Sequence, residues 1–148
     1  MKKESNTQIR GNQVISSEFC SGNAASVEAV DDACTSFELR TAPDCAGQAC
    51  ETNYRTWFHF SVTGAQQDQT LQFAVLNLNP QSKMFVQGMK PSFRVGAGPG
   101  GKWERVPTEV THTCSEGRQF RVSWRFKFSA GGAPVFFAFT PPYSYEEV

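Results

Sequence analysis

Between Gln119 and Phe128 apolar and polar residues alternate without a break. Phe120, Val122, Trp124, Phe126 and Phe128 share one face; Gln119, Arg121, Ser123, Arg125 and Lys127 share the other. Successive strand side chains point to opposite sides, so this pattern predicts a strand buried on one face only. Residues 55–62 set Phe58, Phe60 and Val62 against Trp57 and His59, and residues 71–78 set Leu71, Phe73 and Val75 against Ala74, Leu76 and Leu78. Apolar residues on both sides predict central strands covered on both faces. Residues 135–139 (VFFAF) are too few for a typical helix and rich in β-formers, which predicts a buried strand. Shorter strands are predicted at 27–30, 37–39, 93–95, 103–106 and 110–112, with turn signals at Thr63-Gly64, Asn79-Pro80 and Gly131-Gly132-Ala133-Pro134. No segment keeps a 3.6-residue period. The expectation is an all-β fold, an antiparallel β-sandwich of about eight or nine strands, with a barrel as the alternative.

The length of 148 residues fits one domain, large enough to hide about 68–70% of the surface of its unfolded chain. Thirteen Phe and three Trp make the apolar residues large ones, each able to bury ~150–250 Å². Residues 1–13 are polar and expected to form a disordered tail ahead of a sandwich domain over 14–148. GAGPGG at 96–101 reads as a surface loop. Fourteen basic residues balance fourteen acidic ones, which gives no field to attract nucleic acid or an anionic membrane, so neither partner is expected. The start MKKESNTQIRGNQ lacks the apolar stretch of a secretory signal, and no run reaches the ~18 apolar residues of a membrane span. Five unevenly spaced cysteines (Cys20, Cys34, Cys45, Cys50, Cys114) fit reduced thiols better than a disulfide framework. A cytoplasmic protein is expected.

Catalytic groups are scarce. The two histidines, His59 and His112, are followed three residues later by Val62 and Ser115, so no His-x-x-Glu exists. A zinc set can be drawn from His112, Cys114, Cys45 and Cys50, but zinc sites usually show tighter, repeated C-x₂-C pairs, and unpaired thiols are the plainer reading. There is no G-x-S-x-G elbow, and the glycines of 96–101 do not follow a strand-to-helix pattern, which argues against a phosphate loop. Arg121, Arg125 and Lys127 make a basic stripe on one strand face, either a solvated surface or a place for an acidic partner. Neither a catalytic residue nor a metal ligand is assigned to this chain.

Several blocks, in order and spacing, cover nearly all of the chain from Phe19. They are Ser21-Gly22-Asn23, RTWFHFSV at 55–62, NLNPQSKMF at 77–85 continuing as VQGMKP at 86–91, Trp103-Glu104-Arg105, and FAFTPPYSY at 137–145. With these blocks the sequence resembles the cytosolic carboxypeptidases, zinc peptidases that trim glutamates from tubulin and other protein tails. The resemblance implies an all-β domain preceding a catalytic domain that holds the zinc, its ligands and the catalytic Glu. None of those residues maps onto this sequence, which is therefore expected to be a fragment, without cofactor or activity of its own.

The expected role is that of an accessory domain supporting folding, docking and substrate positioning, with the catalytic domain in cis and glutamylated tubulin or other acidic tails as partners. Candidate interdomain contacts are Asn79, Gln81, Ser82 and Gln87 in a polar turn, Arg105, and the terminal Tyr143 and Tyr145. For the turn, a self-hydrogen-bonded loop is the plainer reading, with a tight backbone expected at Gly88. The rival from another class is a stand-alone β-sandwich module that stacks an exposed Trp or Tyr on a carbohydrate or protein ligand.

Overall fold

The computed structural model describes residues 7–10, 13–19, 21–33, 35–43, 46–49, 51, 55–80, 82–96, 101–114, 119–129 and 133–142. In chain order the elements are β1 (Thr7–Arg10), β2 (Gln13–Ser16), β3 (Ser26–Ala29), β4 (Ser36–Arg40), β5 (His59–Thr63), β6 (Thr70–Leu78), α1 (Ser82–Val86), β7 (Ser92–Val95), β8 (Glu104–Arg105), β9 (Val110–Cys114), β10 (Phe120–Lys127) and β11 (Val135–Ala138). They form a six-stranded sheet, β1-β2-β5-β11-β7-β8, and a five-stranded sheet, β3-β4-β6-β10-β9. The all-β sandwich expected from the alternation is what the chain forms.

The two sheets meet through aromatic rings. Phe58, Phe60 and Phe137 of the first sheet's side surround Trp124 of the second, with ring centroids 5.7, 6.4 and 5.8 Å away. Phe73 adds a ring at 5.9 Å from Trp124, and Phe93 reaches across to Phe126 at 4.9 Å. β10 shows the predicted alternation, with Phe120, Val122, Trp124 and Phe126 buried and Arg121, Arg125 and Lys127 exposed. β5 is buried on both faces, because its outward residues His59 and Ser61 are only 5% and 9% exposed.

The cover over that outer face comes from flanking loops and from Phe136 on the neighbouring strand β11. Phe19, Trp57, Trp103 and Phe136 place their rings 4.6 to 6.1 Å from the His59 imidazole. Trp57 Nε1 donates to Ser21 O at 2.7 Å. A side chain at Gly22 would stand 2.1 Å from Ser17 O, and one at Gly101 the same distance from Arg94 Nε. At Gly22 the crowding atoms are backbone, so no other residue fits that turn, whereas at Gly101 a side chain would displace the Arg94 side chain lying beneath the loop.

Four features differ from the alternation reading. Thr7–Arg10 pairs antiparallel with Gln13–Ser16, whereas a loose tail was expected over 1–13; a strand beside a formed sheet needs only backbone partners, not apolar side chains. Eleven strands stand among the described residues, where eight or nine were expected, since β1 and β2 carry too few large residues to show in the pattern. β4 pairs with β6 in parallel, which local alternation cannot reveal. The turn after Asn79 contains a five-residue helix, α1.

If the rings around Trp124 hold the sheets together, Trp124→Ala should lower unfolding stability by about 3–5 kcal/mol. Arg121→Ala, on the solvent side of the same strand, should stay within about 0.5 kcal/mol. Urea unfolding followed by fluorescence and circular dichroism measures both; equal small losses would remove Trp124 from the centre of the fold.

Candidate functional site

The C-terminal end of β11 lies beside the start of β5 and the start of β7, with Ala138 opposite His59 and Ser92. The end of β6 and the start of β10 lie at that same end of the sandwich, through the pairing of Leu78 with Phe120. The chain thus leaves β11 among the loops that carry Asn79, α1, Gln87 and Arg105.

Asparagines tie this end together. Asn23 Nδ2 donates to Ala42 O and Trp57 O at 3.0 Å each, and its Oδ1 accepts from Ala42 N at 2.9 Å. Asn77 grips Thr41 from both sides, accepting from its N–H at 2.8 Å and donating to its carbonyl at 2.9 Å. Arg55 Nε donates to Asn77 O at 2.8 Å, and Arg55 N–H donates to the Asn79 side chain. Asn79 N–H returns a bond to Arg55 O at 3.0 Å. The carboxamide of Asn79 is therefore engaged inside the domain, as in the self-hydrogen-bonded reading of this turn.

α1 ends where Gly88 adopts φ 97°. Met89 N–H bonds back to Met84 O, and Gly88 N–H to Phe85 O, at 3.1 Å each. That double bond pattern with glycine in the left-handed region is a Schellman stop, so the tight backbone expected at Gly88 is present. The helix buries Phe85 against Phe120, His112 and Phe139 at 5.5, 6.0 and 6.3 Å. A helix this short cannot bury all of its apolar residues, and Met84 and Val86 remain 41% and 74% exposed. Gln87 and Arg105 are exposed as well. The topology thus gathers Asn79, Ser82, Gln87 and Arg105 at one end of the sandwich. Gln81, the Ser82 side chain, Tyr143 and Tyr145 lie outside the described residues. Sequence reasoning missed Met84 and Val86, whose signal was two apolar residues flanking Phe85 with no second apolar stripe to bury them.

Among the described residues His59 is the strongly perturbed group. Burial drives its pKa down to about 4, and a hydrogen bond to the Ser21 backbone works in the opposite direction; its Nδ1 also lies 3.0 Å from Ser21 Oγ. Its Nε2 is buried without a hydrogen-bond partner among the described residues. A neutral ring wrapped in aromatic neighbours is a packing element, not a ligand. His112 lies against Phe85 and Phe120. Among the described residues no three His, Cys, Asp or Glu side chains stand together as a metal would need; Cys45 and Cys50 of the drawn zinc set lie outside them.

The family described as "Cytosolic carboxypeptidase N-terminal domain" matches residues 15–139. The chain belongs to that family. It is 36% identical to Cytosolic carboxypeptidase-like protein 5 of Homo sapiens over 93% of its own length and 18% of the relative's. It is 28% identical to Cytosolic carboxypeptidase 6 of Mus musculus, over 92% of this chain and 24% of that one. Among solved structures it resembles a metallo-carboxypeptidase from Pseudomonas aeruginosa in complex with (2-guanidinoethylmercapto)succinic acid, with TM-score 0.56 and 23% identity over 90% of this chain and 31% of that one. At that identity the likeness concerns the fold. The chain thus spans about a fifth to a quarter of the length of these curated relatives. No helix among the described residues is long and apolar enough to cross a membrane.

Two outcomes follow. Asn77→Ala leaves the N–H and carbonyl of the buried Thr41 without their side-chain partner, so stability should fall by about 2–3 kcal/mol, while Gln87→Ala should change it by less than about 0.5 kcal/mol. For His59, an unfolded ring takes up a proton near pH 6.5 but the folded one only near pH 4. Its contribution is complete above about pH 6.5 and is lost as the pH falls toward 4, by up to roughly 3 kcal/mol. Asp31, whose carboxylate is held below its ordinary value first by the side-chain hydrogen bond from Thr35, acts only below about that ordinary value of 3.8. Urea midpoints between pH 7.5 and 4.5 should therefore slope downward in the native chain and much less in His59→Gln; parallel slopes would reject this role of His59.

Proposed function

We propose that this domain is the non-catalytic N-terminal part of a cytoplasmic zinc metallocarboxypeptidase. In this reading the parent enzyme removes glutamates from tubulin or other acidic protein tails, and the domain supports its folding and the placement of substrate. The zinc, its ligands and the hydrolytic groups belong to the catalytic domain in cis.

The observation that carries the reading is the end of the sandwich where the chain leaves β11. Met84 and Val86 expose apolar surface there, and Gln87, next in the chain, and Arg105, on β8 opposite Ser92 at the start of β7, expose polar heads at the same end. Apolar groups rimmed by polar ones are the usual make-up of a contact surface. The asparagine bonding behind them keeps that end in one shape, as a docking platform requires. The module alternative needs an exposed ring to stack on its ligand; Trp57, Trp103 and Trp124 are all partly or fully buried, and Tyr54, Tyr143 and Tyr145 lie outside the described residues.

The test compares the 148-residue chain with a parent extended through its catalytic domain. The chain alone, with zinc supplied, should release no glutamate from glutamate-ending peptides, and the parent should release it. Met84→Asp with Val86→Asp should leave the melting temperature of the isolated chain unchanged and lower that of the parent by several degrees. Hydrolysis by the isolated chain, or an unaffected double variant of the parent, would overturn the reading.

A further inference from the structure

The outer faces of the two sheets are finished differently. Loops close the face around His59, but the outer face of the β6–β10–β9 region stays open, and a groove of about 310 Å³ runs across it. Its polar lining is Gln72 on β6, Ser123 and Arg125 on β10, Thr111 on β9, and Thr108 and Glu109 just before β9. Register explains the gathering. Arg125 lies opposite Gln72, and Ser123 opposite Thr111. Partners directly opposite on one face stand ~5 Å apart. Thr111 and Ser123 share a hydroxyl–hydroxyl bond of 2.6 Å, and Thr108 Oγ1 bonds Arg125 O, which fixes the groove floor.

The charges on this face sort themselves. Arg121 pairs with Glu38 at 3.5 Å and Lys127 with Asp68 at 4.0 Å. Arg125, between them on the same strand face, has no ion pair among the described residues, and neither does Glu109. The stripe read from the sequence as three cations is, in the fold, one unengaged guanidinium flanked by two pairs. A polyanion laid across it would also meet Glu38, Asp68 and Glu109. One carboxylate would meet a planar five-donor fork built for it.

The geometry points to a binding site for an extended peptide segment carrying a single acidic side chain. Arg125 takes the carboxylate. Glu109 accepts from a backbone N–H or a cationic side chain of the same peptide. Gln72, Ser123 and Thr111 exchange hydrogen bonds with its backbone across three strands, a span of ~10 Å that a lone anion does not fill. The groove is shallow and offers one unengaged cation, so the binding is weak and readily reversed. The groove lies toward the end of β10 remote from Phe120 and Leu78, so the site is independent of the proposed docking end and stands or falls separately from it.

The test is a titration of the isotope-labelled chain with acetyl-Ala-Glu-Ala-amide, read by amide chemical shifts. Shifts should concentrate at Gln72, Thr111 and Ser123. The apparent affinity should fall at least fivefold with acetyl-Ala-Gln-Ala-amide, with acetate as the probe, and in Arg125→Gln. Arg125→Lys should fall between, and Arg121→Gln should match the native chain, with unchanged core resonances showing that each variant folds. The proposal is overturned if no localised shifts occur, if the glutamine peptide or acetate binds as well, or if Arg121→Gln loses as much as Arg125→Gln.

Discussion

Trp124 stands where Phe58, Phe60, Phe73 and Phe137 converge, and the separation of the two sheets follows from the size of those rings. Burying an indole of ~200 Å² at about 25 cal/mol/Å² is worth roughly 5 kcal/mol. Against this stands the Trp124 Nε1–H, which is buried without a hydrogen-bond partner among the described residues, at a cost of about 1–3 kcal/mol. The ring term wins, so the fold keeps a large indole at a point where a polar group goes unanswered. Everything outward depends on this contact. β5 and β11 hold their register because Phe60 and Phe137, opposite one another, both point into it. A slip of one residue on either strand would turn these rings to the outer face.

With the core so heavily aromatic, the loops at the exit end are held by polar side chains instead. Residues 41–42, 55–57 and 77–79 make few ladder bonds to one another, yet Asn23, Asn77 and Asn79 supply equivalent donors and acceptors from side-chain amides. An amide can imitate a peptide group, accepting through its oxygen and donating through a separate nitrogen, which an acceptor-only carboxylate cannot do and a serine does only through a single atom. The result is a rigid end made from irregular backbone. Rigidity there matters to whatever packs on it, since a surface that must first be ordered binds with less of its contact energy.

Strands with large residues at period two were legible in the sequence. Phe120 to Phe128, Leu71 to Leu78 and the VFFAF run each emerge as strands, because burial on one or both faces is what selects their residue types. Less was legible where structure depends on distant partners. The parallel pairing of β4 with β6 leaves no local trace, since a strand alternates alike beside a parallel or an antiparallel neighbour. α1 is too short to display a 3.6-residue period, although Gly88 after Lys83-Met84-Phe85-Val86-Gln87 carries a stop signal. Asn77 looks like any polar residue at a strand end; only the fold places Thr41 against it. The basic stripe was legible as three charges, but Glu38 and Asp68, which engage two of them, are separated from those cations by dozens of residues in sequence.

The unequal finish of the two outer faces has a physical reason. On the first sheet the outward positions of β5, β11 and β7 include His59, Phe136 and Arg94, and a face with rings on it must be covered. Residues 17–19, 21–23 and 101–103 do so, with glycine at 22 and 101 where a side chain would collide with Ser17 O and with the Arg94 side chain. On the second sheet the outward positions of β6 and β10 are, besides the small buried Ala74, Gln72, Arg121, Ser123, Arg125 and Lys127, whose polar heads water solvates without help. No loop is needed, and the chain spends none there. An open polar face and a half-covered apolar helix are therefore the surfaces that packing leaves available, and they differ in chemistry: Met84 and Val86 gain from exclusion of water, whereas Arg125 needs a ligand that replaces water's hydrogen bonds one for one. Partners suited to one surface are unsuited to the other, and the domain can serve both without competition between them.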